Sequence, residues 1–179
     1  MKRLGWYLLI LAVCMACKSP PPAEPVFEEH WEEAGPAADS VTVSQEVYDY
    51  TLAEVKQFVD GLNALIRSKN YNSWKDALSD ELFATLSSPE FLAKTSESAA
   101  LKSRKIVLKT PSDYFLQVVV PSRSNSKVDE IEFTAADRVK VFYLEERVRR
   151  TETNEAVTET RRLRLYDLVK TGDTWKIID

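Results

Sequence analysis

Between Leu52 and Ile66 apolar side chains return every third or fourth position: Leu52, Val55, Phe58, Val59, Leu62, Leu65 and Ile66. That spacing draws one stripe along an α-helix. Glu54, Lys56, Gln57, Asp60, Asn63 and Arg67 fall on the remaining surface. Two starts are open. Thr51 with Glu54 makes a capping box, and Ser44 is an equally good cap that would take Tyr48 and Tyr50 into the helix. Arg67 and Lys69 suit the negative end of the helix dipole, and Asn70 suits a left-handed terminal residue.

The stretch "NYNSWKDALSDELFATLSSPEFLAKTSE" carries serines at three cap positions, Ser73, Ser79 and Ser88, the last followed by Pro89. Proline is favoured at the first helical position. Short helices are expected near 73–78, 80–87 and 89–96, with Trp74, Leu78, Leu82, Phe83, Leu86, Phe91 and Leu92 as core. Trp74 reads as a buried anchor, with a pocket wall as the alternative. In "LKTPSDYFLQVVVPSR" the Thr110, Pro111, Asp113 series signals a helix start. The β-branched run Val118–Val120 argues for strand. The expectation is a short strand at 105–109 and a helix at 111–120, ended by Pro121.

After Val128 the period changes to two. Ile131 and Phe133 oppose Glu130 and Glu132, and Val139, Val141 and Tyr143 share a face away from Lys140. Leu163 and Leu165 share a face, as do Tyr166 and Leu168. These are strands with one buried side. "KTGDTW" is a hairpin turn with Gly172 free to take positive φ, Trp175 and Ile177 continue the last strand, and "TETNEAV" is the loop of a longer hairpin. That hairpin carries Arg147, Arg149, Arg150, Arg161, Arg162 and Arg164 among Glu145, Glu146, Glu152, Glu155 and Glu159. An anion site is one reading. The other is a solvated face of cross-strand ion pairs, with Glu145 and Glu146 near Arg161 and Arg162, each pair contributing ~0.2–1 kcal/mol. Helices followed by antiparallel strands make the chain α+β.

The N-terminus follows another pattern. Lys2 and Arg3 precede an uncharged run from Leu4 to Cys17, too short for the roughly 20 residues of a spanning helix. A basic start, a short apolar run and small residues describe a secretion signal. Its two cysteines, Cys14 and Cys17, are the only ones in the chain, and the one histidine is His30. A zinc or redox site at Cys-x-x-Cys would need further ligands and a scaffold, so neither a metal nor a cofactor is expected. "VCMAC" followed by "KSPPPAEP" resembles a bacterial lipoprotein signal, in which a small residue precedes the acylated cysteine. The resemblance implies lipid attachment at Cys17, after Ala16, with Cys14 after Val13 as the alternative. Relaxed forms of this motif are typical of spirochaetes. An ordinary cleaved signal that leaves a free cysteine is the bland alternative.

Cleavage before Cys17 would take the formal charge from −4 to −6 by removing Lys2 and Arg3. An acidic body does not carry the basic footprint of nucleic-acid binding. Ser19–Ser40, with five prolines, reads as a semi-rigid tether. Within it "EEHWEE" is either a weak cation or partner motif or a solvated linker. The expected domains are a signal over 1–16, a lipidated Pro/Glu-rich disordered tether over 17–43, and one α+β domain over 44–179.

The element order, the helix ending "GLNALIRSKNYNSWKDALSDEL" and the closing "RRLRLYDLVKTGDTWKIID" resemble the nuclear-transport-factor-2-like, or cystatin-like, cone. That likeness implies helices packed on a curved antiparallel sheet. Some members of the family are isomerases and dehydratases that use an Asp, His or Tyr deep in a pocket. Tyr114, Tyr143, Tyr166 and Asp167 are the candidate pocket groups here. Asp113 is better explained as a first-turn helix acid. No phosphate loop, nucleophile elbow or ligand cluster is written in the sequence. The leading expectation is therefore a lipid-anchored envelope protein that binds a partner protein or small ligand without catalysis. It would sit on the periplasmic face of either membrane or on the cell surface, with the lipid bilayer as its first partner. The alternatives are a pocket enzyme and a subunit that homodimerises through its sheet face.

Overall fold

Ser44 decides where the first helix starts. In this computed structural model, which describes residues 41–150 and 156–179, its hydroxyl accepts from the Val47 N–H at 3.3 Å. Helix α1 then runs Gln45–Arg67 and buries Thr51, Val55, Val59, Leu62, Asn63 and Ile66. The Thr51 start is thereby set aside, since Thr51 packs inside the helix. Asn63 also departs from its polar reading. It is buried, and its side-chain amide donates to the Ser126 carbonyl at 2.8 Å and accepts from the Ser126 N–H at 3.2 Å. The signal, Cys14, Cys17, the tether before Val41, "EEHWEE", Glu152 and Glu155 lie outside the described residues.

Four short helices follow: α2 Tyr71–Asp76, α3 Asp80–Ser87, α4 Pro89–Ser96 and α5 Ala99–Ser103. Ser79 and Ser88 cap α3 and α4 as their positions predict. Ser73 does not cap a helix. Asn70 caps α2 three residues earlier, accepting from the Ser73 N–H, and the left-handed residue is Lys69 at φ 55°. The strand expected at 105–109 does not form. Ser96, buried in α4, accepts from the Leu108 N–H at 2.9 Å and ties that segment to the helices instead. Leu92, Leu101, Leu108 and Val118 close a small core around it.

The next helix starts on the Thr110–Asp113 capping box and runs past Pro121. α6 Pro111–Tyr114 passes into a π-helical stretch, Phe115–Val119, and then α7 Val120–Arg123. An α-helix would drive the Pro121 ring into the carbonyl four residues back. The wider π turn lies immediately before it. The β-branched run is helical because Val118 and Val119 are buried there, and packing outweighs propensity.

The sheet is an antiparallel meander in the order β1-β2-β3-β4: β1 Glu130–Ala135, β2 Arg138–Arg150, β3 Ala156–Thr171 and β4 Thr174–Ile177. One face carries Ile131, Phe133, Val139, Val141, Tyr166, Leu168, Trp175 and Ile177 onto α1 and α2, with Trp74 and Phe115 between. Gly172 takes φ 61° in the β3–β4 turn. A bulge marks the middle of β3: Val141 pairs with Tyr166 but Phe142 with Arg164, which leaves Leu165 as the extra residue. Leu165 and Tyr166 are consequently both buried although adjacent in sequence.

Both outer edges of this sheet are covered by the chain itself. On β1 the Val41 N–H donates to the Phe133 carbonyl and the Tyr48 hydroxyl accepts from the Ile131 N–H. On β4, Ile177 exchanges backbone bonds with Ala77 and Ser79. Past Phe142 and Arg164, however, β2 and β3 continue as a two-stranded arm that the outer strands do not reach.

Candidate functional site

A cleft of about 280 Å³ opens where α2, α3 and the Pro111–Arg123 rod meet the inner sheet face. Its walls are mostly apolar, with Leu82, Leu86 and Phe91 on the helix side and Leu165 and Ile177 on the sheet. Trp74 is both buried anchor and cleft wall, its ring 4.8 Å from Phe115 and 6.0 Å from Tyr71. The polar groups are few: Tyr114, Ser122, Arg123, Tyr166, Thr85 and Asp179. Tyr114 stands edge-on to Phe91 at 5.2 Å. The Arg123 guanidinium lies over the Tyr166 ring at 5.3 Å, a cation–π contact. Apolar walls with a few converging polar groups are the usual make-up of a small-molecule site.

The cleft unites only two of the four pocket candidates, Tyr114 and Tyr166. Tyr143 lines a neighbouring groove of about 460 Å³ with residues 121–127 and Leu165. The two cavities share Ser122, Arg123 and Leu165 as a common wall. Burial, then the Glu145 carboxylate beside it, raises the Tyr143 hydroxyl above its ordinary value. Asp167 is on the outer face, opposite Lys140. Loss of water raises its carboxyl above the ordinary aspartate value, against the nearby Arg164. Asp113 stays with its helix: Lys109 and Thr110 N–H groups donate to it, which lowers its carboxyl. Arg123 and Ser122 were not legible as site residues, because Pro121 reads as the end of the helix that carries them inward.

The outer face is dressed with charge. The Arg162 guanidinium covers the Phe142 ring, 3.5 Å from its centroid, and pairs with Glu130 and Glu132 at 3.1 and 2.9 Å. Phe142 is fully buried beneath it. Arg164 bonds the Asp179 carboxylate. Glu145 lies opposite Arg161 as the charge pattern predicts, whereas Glu146 faces Thr160 and Arg162 reaches across to β1.

This chain is similar to a bacterial lipoprotein. Over 113 residues it is 36% identical to a protein of Treponema pallidum (strain Nichols) described as an uncharacterized lipoprotein. The match takes in 62% of this chain and 59% of that protein, so this chain spans under two thirds of its relative. No family model matches the chain, and no solved structure matches it. Among the described residues no helix is long and apolar enough to cross a membrane, and no group of His, Cys, Asp and Glu could hold a metal ion.

Proposed function

We propose that this protein is a lipid-anchored lipoprotein of the spirochaetal cell envelope whose cone-like α+β domain takes a small, largely apolar ligand or partner segment without chemistry. The observation that carries the lipoprotein reading is the 36% identity to the Treponema protein. It agrees with the signal pattern at Cys17, where two or more acyl chains would hold the chain stably on a bilayer. The binding reading is supported by the cleft, where apolar side chains meet a smaller set of polar groups, and by the position of the candidate Asp167 on the other face. The cone likeness rests on the element order, helices first and then an antiparallel meander. A sheet-face dimer fits less well, since that face is charged around Arg162.

Two experiments test this reading. Labelling cells with an alkyne fatty acid should mark wild type and Cys14→Ala but not Cys17→Ala. Label kept by both single variants would overturn the anchor. For the cleft, the environment-sensitive probe N-phenyl-1-naphthylamine should bind saturably. Leu82→Trp, which fills the cavity, should weaken that binding at least tenfold. Unchanged probe binding in a folded Leu82→Trp protein would overturn the cleft reading, as would measured turnover at the cleft for binding without chemistry.

A further inference from the structure

The two sheet edges of the body are closed by Val41, Tyr48, Ala77 and Ser79, but among the described residues no strand or loop pairs with the outer edges of the arm formed by Glu145–Arg150 and Ala156–Arg161. Every residue from Ala156 to Thr160 is exposed. A two-stranded ribbon is at best marginally stable alone in water, and an open strand edge is a template for another strand. The alternation of backbone bonds tells which groups face out. On β2, Leu144 N–H and Phe142 C=O turn toward the Asp129 side, so even-numbered β2 residues face away from β3. Odd-numbered β2 residues therefore bond to their β3 partners at 159, 161 and 163. The outward backbone groups of β3 are those of Ala156, Thr158, Thr160 and Arg162.

The geometry points to a second copy of this chain as the occupant of the β3 edge, paired antiparallel about a two-fold axis through Thr160. Charge selects that register. Centred on Glu159 or Arg161, the pairing sets like charges face to face. Centred on Thr160, it places Glu159 of each copy opposite Arg161 of the other, twice by symmetry, with Thr158 opposite Arg162 and Val157 opposite Leu163. Glu159 and Arg161 keep their own-chain neighbours in this arrangement, Arg149 at 3.7 Å and Glu145 across the strand. Val157, about half exposed, gains an apolar partner. The interface is isologous and closes on itself, so it makes dimers and not fibres.

The test uses the full chain, lipidated and extracted in mild detergent. Thr160→Cys should crosslink to itself on mild oxidation, because paired residues on an antiparallel ladder lie within disulfide reach. Thr158→Cys, which faces position 162, should form no disulfide to itself under the same conditions. Glu159→Arg should weaken the dimer, read by light scattering, about tenfold, as two opposite-charge pairs become like-charge pairs. Mixing Glu159→Arg chains with Arg161→Glu chains should restore it, because both pairs across the mixed interface are again of opposite charge. Thermal melts confirm that each variant is folded. Equal crosslinking at 158 and 160, no crosslinking at 160, or a mixture that associates no better than Glu159→Arg alone would each overturn the proposal.

Discussion

The body and the arm are made from the same two strands, yet different physics holds them. In the body, Val139, Val141 and Leu168 are at most 1% exposed, and β1 and β4 flank them. In the arm, residues of the same alternating type are open to water, with Val148 68% exposed. Its pairs are ionic: Arg147 meets Glu145 at 2.6 Å and Arg149 meets Glu159 at 3.7 Å. Exposed ion pairs contribute little, commonly under about 1 kcal/mol. Strand pattern alone therefore does not make a stable sheet. Burial against a second layer does, and in the arm that layer is missing among the described residues.

The contrast breaks hardest at the centre of the body. Phe115→Ala removes a fully buried ring that touches Trp74 and Tyr71. It should cost about 3–5 kcal/mol, measured by urea unfolding. Asn63→Ala strands the Ser126 backbone groups beneath the loop after Arg123, and a loss of about 1–3 kcal/mol is expected. Arg162→Ala uncovers Phe142 and takes from Glu130 and Glu132 the guanidinium they share. Arg162 itself remains about a fifth exposed, so a smaller loss, about 1 kcal/mol, is expected. Val148→Ala in the arm should change stability by less than about 0.5 kcal/mol. A loss from Val148→Ala as large as that from Phe115→Ala would erase the distinction between the two regions.

Acid titration separates two aspartates within the body. Asp167 is held above its ordinary value, chiefly by desolvation, so the fold favours its neutral form. Its contribution to stability is present below the unfolded value, about 3.9, and is lost as pH rises through the raised folded value. Asp167→Asn should therefore raise the Tm at pH 7, and the gain should vanish in acid. Asp113 is held below its ordinary value, chiefly by the Lys109 N–H, so its contribution is present at neutral pH. That contribution is lost as pH falls through the lowered value. Asp113→Asn should lower the Tm at pH 7, and the deficit should close in acid. Matching signs for the two variants would contradict these environments.

Much of this molecule was legible locally. The caps at Ser79, Ser88 and Thr110 were readable because a short polar side chain bonds an N–H three residues on, whatever the rest of the chain does. The inner faces of β1 and β2 were readable because side chains alternate with period two. The α+β class follows from those two signals together. The strand at 105–109 was misread because its backbone donor found the Ser96 hydroxyl, a partner twelve residues away.

The cleft belonged to tertiary structure. Its sequence candidates were four aromatic or acidic residues, and alternation could not say which of them turn inward. The bulge at Leu165 settles that. It sends Tyr166 to the helices and Asp167 to the opposite face, because one extra residue on a strand shifts the side-chain phase of everything beyond it. Arg123 reaches the same cleft only because a helix persists through Pro121 when Val118 and Val119 are buried beneath it. Caps and alternation are contacts within a few residues, and the chain carries them in its order. A pocket is made by surfaces that meet only after folding, and its members are chosen by packing.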